Sequence, residues 1–89
     1  MCGIVGLVSK DSRGFFHQDT EVLQDLLLVD SIRGADSTGV FGVLRNTQAR
    51  ILKHAVDPYI LYRTQAWEKF KRMMVDQCRM VIGHNRKAT

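Results

Sequence analysis

The sequence predicts an α+β fold in the element order β-α-β-β-α-β, and three observations carry that prediction. Apolar runs of strand length stand at 2–8, 39–44 and 80–83. Segments with apolar residues at helical spacing occupy about 20–33 and 58–76. Stretches of turn composition separate them: Ser9 to Gly14, Arg33 to Thr38, and Arg45 to Gln48. A period near two means strand, a period near 3.6 means helix, and Gly, Asn, Asp and Ser clusters punctuate the two.

The first run, Cys2 to Val8, is apolar on both faces, which reads as a central strand rather than an exposed edge. Its small residues also suggest that something approaches its backbone closely. Asp19 reads as the N-cap of the first helix, with Glu21 favourable in the first turn. Val22, Leu26 and Val29 make its apolar stripe, Leu23, Leu27 and Ile32 widen it, and Gly34 supplies the stop. Gly39 to Leu44 and Arg50 to His54 read as a hairpin around Arg45-Asn46-Thr47-Gln48. Asp57-Pro58 starts the second helix, because proline at the first helical position gives up no needed hydrogen bond. Ile60, Trp67, Phe70 and Met74 follow as core residues. Met80 to Gly83 is the last strand, and the polar segment His84 to Thr89 runs off it abruptly, as though the sequence were cut.

Composition narrows the function classes. The chain has 89 residues, a net charge of +4 and 45% hydrophobic content, which suits one small unit below the usual domain size of roughly 100–150 residues. Two cysteines allow at most one bridge and exclude a disulfide-built secreted scaffold. No apolar run approaches the roughly 20 residues of a membrane-spanning helix, and no basic leader precedes the apolar start. A cytoplasmic protein with no membrane partner is expected. Residues 1–44 carry a net −3 and residues 45–89 a net +7. The basic residues of the second half are dispersed, so a solvated face is preferred over nucleic acid, with weak polyanion binding as the alternative.

Four places could carry chemistry. Cys2 presents a thiol and, once Met1 is removed, an α-amine with a reference pKa of about 7.7–8.0 that can act as a base. Cys78 reads as a small core residue, and His17, His54 and His84 are too scattered for zinc, so no metal and no cofactor are expected. Arg33-Gly34-Ala35-Asp36-Ser37-Thr38-Gly39 reads as a tight turn; a phosphate loop would need a lysine and strand-to-helix order. Arg86, leaving the last strand, could fork onto a carboxylate or stand as a surface cation.

Met1-Cys2-Gly3-Ile4-Val5-Gly6, Arg33 to Gly39, and Gly83-His84-Asn85-Arg86-Lys87-Ala88-Thr89, taken in that order, resemble the class II glutamine amidotransferases. The glutaminase domains of that family are N-terminal-nucleophile hydrolases with an αββα sandwich. The resemblance implies that Cys2 is the nucleophile attacking the side-chain amide of L-glutamine, releasing ammonia through a thioester. It implies that Arg86 and Thr89 bind substrate, and that Arg33, Gly34, Asp36, Gly39 and His84 support the site. Lys87 departs from the family's usual aromatic. The family's oxyanion hole and its amine-holding acid have no counterpart by Thr89. Residues 1–89 are therefore expected to be the N-terminal part of a glutaminase domain, inactive alone, whose partners are the rest of that domain and a C-terminal synthase domain. The alternative from another class is a non-catalytic binding module.

Overall fold

The computed structural model describes residues 2–10, 14–32 and 34–87. Strand β1 (Cys2–Val8) leads to helix α1 (His17–Asp30), and β2 (Ser37–Leu44) and β3 (Ala49–His54) form a hairpin. Helices α2 (Pro58–Leu61) and α3 (Gln65–Gln77) follow, and β4 (Cys78–Arg86) returns to the sheet. The strands form one antiparallel sheet in the order β1-β4-β2-β3.

The expected order β-α-β-β-α-β is therefore corrected to β-α-β-β-α-α-β. Two separate caps split the second helix. The Asp57 carboxylate accepts a hydrogen bond from the Ile60 amide at 3.0 Å, with Pro58 at the first helical position. Thr64 Oγ1 accepts from the Trp67 amide at 3.1 Å and starts a new helix seven residues later. Each cap satisfies an amide that the helix itself leaves unpaired.

The expected αββα sandwich is corrected as well, because the described residues make two layers. A Cβ on Gly83 would meet Leu27 of α1 at 2.8 Å, and one on Gly42 would meet Phe70 and Met73 of α3 at 3.3 Å. Gly83 stands opposite Val40, two residues from Gly42, so the pleat puts both glycines on one face. Both long helices thus cover the same side of the sheet. The alternation of buried and half-buried residues along β2 is the signature of that one-sided cover. The other face is open.

Under the helices, Trp67 is fully buried, 4.8 Å from the ring of Tyr62 and stacked on Phe70 at 5.8 Å. Its indole N–H donates to Gln24 Oε1 at 3.1 Å, and the Tyr62 hydroxyl donates to the Gln24 carbonyl at 2.7 Å. Gln24 thereby ties α1 to both C-terminal helices. Leu23, Leu27, Val40, Leu61, Met74 and Val81 complete the centre of the core. Trp67, Phe70 and Met74 take the core places expected of them, whereas Ile60 is exposed.

Helix α1 departs from its expected span of 20–33. It starts at His17, and Asp19 sits three residues inside, where its carboxylate accepts the Phe16 amide at 2.8 Å. Thr20, Leu23 and Leu27 face the core, while Val22, Leu26 and Val29 are 45%, 37% and 65% exposed. Leu23 and Leu27 of the predicted flank take the core side and the predicted stripe is exposed, while Ile32, the third flank residue, lies past the helix and is exposed too. Gly34 has φ +97, a conformation costly to any residue with a Cβ, and its amide donates to the Ser31 carbonyl at 2.7 Å. Finally β1, expected to be central, lies at the sheet edge.

Candidate functional site

Register decides which sequence-predicted residues meet. Cys2 stands opposite Arg86, and Arg86 stands opposite Ser37 on its other side. This row crosses three strands at one end of the sheet, on the open face. The next row on that face joins Ile4, His84, Gly39 and Lys53 across all four strands. Cys2 is exposed and Arg86 is exposed. The antiparallel fold thus brings the first and last motifs of the chain to one place. Of the turn between them, Gly34 and Asp36 sit at the rim, where the Asp36 amide donates to the Arg86 carbonyl at 2.7 Å. Gly39 lies in the second row beside Lys53. Arg33 and Thr89 fall outside the described residues.

A polar network lies behind that row, on the covered face, and motif reading missed it. Asn85 is 3% exposed. Its Nδ2 donates to the Leu27 carbonyl at 2.9 Å and to Asp30 Oδ2 at 3.0 Å. Its Oδ1 lies 3.1 Å from Thr38 Oγ1, which in turn is 2.9 Å from the Val56 carbonyl. The network links the end of α1, β4, β2 and the loop before α2. Buried polar groups need such partners, and a satisfied set fixes one arrangement. The Asp30 carboxylate occupies the space above Gly3 where any Cβ would lie, so the group that approaches the β1 backbone there is Asp30. Close approach to the β1 backbone was legible in its small residues; the approaching group was not.

A cavity of about 420 Å³ opens beside this network, lined by Cys2, Gly3, Val29, Asp30, Asn85 and Lys87 among others. The Lys87 side chain crosses Gly34, with Nζ 2.7 Å from where a Cβ would stand. Cys78 is fully buried against Gly42, and burial pushes its thiol up to about 11 from the usual 9, as befits the inert core residue expected. Among the described residues no cluster of three or more His, Cys, Asp and Glu could hold a metal ion, and no helix is long and apolar enough to cross a membrane.

No protein-family model matches the sequence, and no curated protein matches it. Among solved structures, the fold is similar to a chain in a complex of β-clamp processivity factor and the little finger domain of PolIV. That match has a TM-score of 0.65 at 13% identity and covers 100% of this chain and 90% of that one. Identity this low speaks for the fold alone.

The match corrects the sequence reading of family and function. The solved neighbour is not an N-terminal-nucleophile amidotransferase, and nothing else found is one either. Assignment as a glutaminase, with L-glutamine, the rest of a glutaminase domain and a synthase domain as partners, is accordingly withdrawn. The physical reason lies in the motifs themselves, which are six or seven residues long. Several of their residues have structural work in this fold: Gly3 admits Asp30, Gly34 takes a positive φ, and Asn85 joins α1 to the sheet. What the comparisons establish is an antiparallel sheet covered on one side by helices, of a kind already seen in a complex of two proteins.

Proposed function

We propose that this chain is a protein-binding module that receives its partner on the open face of the sheet. The observation that carries the reading is the uncovered apolar surface there. Ile4, Ile51 and Val8 are 72%, 73% and 75% exposed, and Phe41, Val43 and Ile82 extend the patch between them. Single exposed apolar residues are ordinary, whereas a contiguous patch marks an interaction surface. The face has no acid among its described residues, and Arg86, Lys53 and His84 gather at its Cys2 end. The fitting partner presents an apolar patch with carboxylates on one rim. A chain of similar fold stands in a complex of β-clamp processivity factor and the little finger domain of PolIV, which supports a binding role for the scaffold. Two unpaired cysteines suit a reducing compartment, so the cytoplasm is the proposed location.

The test places a photo-crosslinking residue at Ile51, and separately at Glu68 on the helical side, in the cells that make the protein. A discrete protein adduct at position 51 alone is expected. With that protein purified, Ile51→Asp is expected to weaken binding at least tenfold. Equal adducts at both positions, no adduct, or retention on nucleic acid that survives moderate salt overturns the reading.

The row Cys2–Arg86–Ser37 favours a second reading, in which the exposed thiol acts as nucleophile on an anionic substrate held by Arg86. A burst of nitrophenol from an activated ester, lost in Cys2→Ser, supports it. Stoichiometric alkylation of Cys2 without any burst refutes it.

A further inference from the structure

We propose that two copies of this chain associate through the β1 edge, forming one continuous sheet across a two-fold axis. The starting point is an unguarded edge. A sheet edge offers a row of unpaired backbone groups, and proteins protect it with charge, proline or cover. The β3 edge follows the rule, with Arg50 and Lys53 in its six residues. The β1 edge does not: Cys-Gly-Ile-Val-Gly-Leu-Val has neither a charge nor a proline. It has the composition of a central strand and the position of an outer one.

A second copy fits that edge better than an unrelated strand, because β1 is complementary to itself. In an antiparallel pair centred on Val5, Ile4 stands opposite Gly6 of the second copy, Gly3 opposite Leu7, and Cys2 opposite Val8. Large meets small on both faces of the sheet, and no like charges oppose each other. A surface that pairs with itself in this way is what a two-fold interface requires.

Helix α1 extends the same interface. Leu23 and Leu27 face the sheet, and Gln24 faces Tyr62 and Trp67. The helical angle then turns Val22, Leu26 and Val29 to the flank away from α3, on the side of β1. Val29 confirms the side, because it lines the cavity shared with Cys2 and Gly3. The exposed stripe therefore runs beside the unguarded strand. The two-fold that joins β1 to its copy brings the two stripes together beneath it. A partner of another kind would need to supply both a strand and an apolar helix; a second copy supplies both by symmetry. Ile4 and Val8 belong to both surfaces, but the backbone edge of β1 and the α1 stripe lie off the open face, and Ile51 on β3 lies off the β1 edge, so the tests at Leu26 and Ile51 let either proposal fail alone.

The experiment uses the native cysteine. Val8→Cys puts a thiol opposite Cys2 of the second copy at both ends of the paired strands. Facing Cα atoms about 4.5–5.5 Å apart lie within disulfide reach. Within one chain the two positions are about 20 Å apart along the strand, so any bond between them joins two chains. Mild oxidation is expected to give a covalent dimer much faster for Val8→Cys than for the unchanged protein. Light scattering of the unchanged protein is expected to rise from 10.2 kDa toward twice that mass with concentration. Gly6→Lys and Leu26→Lys, both at exposed positions, are each expected to raise the dimer dissociation constant at least tenfold while the fold persists by circular dichroism. A mass fixed at that of the monomer at several hundred micromolar, or equal oxidation rates with and without Val8→Cys, overturns the proposal.

Discussion

Removing the Asn85 side chain tests whether the network behind the open face holds the fold together. In Asn85→Ala three interactions go. The Leu27 carbonyl keeps a second donor in the Ser31 amide at 3.0 Å, and Thr38 keeps the Val56 carbonyl. Those two losses cost only the net value of a neutral hydrogen bond, about 0.5–1.5 kcal/mol each. The bond to Asp30 involves a carboxylate and contributes about 1.5–3 kcal/mol. With a small cavity added, the expected destabilisation is about 3–6 kcal/mol. A chain of this size has a total stability of only about 4–13 kcal/mol. The midpoint of thermal unfolding should therefore fall by more than about 12 °C, at roughly 4–8 °C per kcal/mol. Trp67 is the sole tryptophan and fully buried, so its fluorescence reports urea unfolding directly. The decisive measurement is the double-mutant cycle with Asp30→Ala. If the two side chains act together, the double variant loses at least 1 kcal/mol less than the sum of the singles. Additivity within about 0.5 kcal/mol, or a cost below 1 kcal/mol for Asn85→Ala, refutes the reasoning.

Gly3→Ala places a methyl group where the Asp30 carboxylate lies, so it should destabilise by about 2 kcal/mol or more, and Asp30→Ala should relieve most of that cost. Thr64→Ala removes the cap that separates α3 from α2 and should cost about 1 kcal/mol in the same urea assay. A thiol reagent should titrate one cysteine at once and the second only on unfolding, since Cys2 is exposed and Cys78 buried. Cys78 is also raised from 9 to about 11 by desolvation. A raised folded value means the unfolded chain loses its proton first, so that group's contribution to stability is full below pH 9 and is lost as pH rises toward 11. Cys78→Ala should abolish that component of the alkaline decline, and an unchanged decline would count against the burial argument.

Local chemistry was the legible part of this sequence. Asp57-Pro58 announced a helix start and is one, because a cap and a proline act through the nearest three amides. The apolar run Gly-Val-Phe-Gly-Val-Leu announced a strand and lies within one, because its length and the turn residues that bound it are local features. The faces of α1 were not legible. Two apolar stripes, Val22–Leu26–Val29 and Leu23–Leu27, lie side by side on that helix, and only the position of the sheet selects between them. Nor was the Asp30–Asn85 bond, which joins residues 55 apart in sequence. That Cys2, Ser37 and Arg86 share one row was not predicted; antiparallel return brings the ends of β1, β2 and β4 together. Nor did the motif order foretell a function, because glycines and an asparagine at strand ends are used here to build those ends.

The strand β1 carries this distinction furthest. It reads as central because it is apolar on both faces, and it carries neither a charge nor a proline to guard an edge. Among the described residues it is an edge, with α1 exposing Val22, Leu26 and Val29 on the same flank. A residue pattern records the environment in which a segment spends its working life, whereas a fold of one chain records only the neighbours that chain provides. Where the two disagree along a whole strand and the helix beneath it, the missing neighbour is specified in some detail. It must be a strand without charge, small where β1 is large, above an apolar helix. Within this protein, β1 and α1 of a second copy meet that description, so the disagreement between sequence and edge position is itself the reason to measure the mass of the protein in solution before its partners are sought.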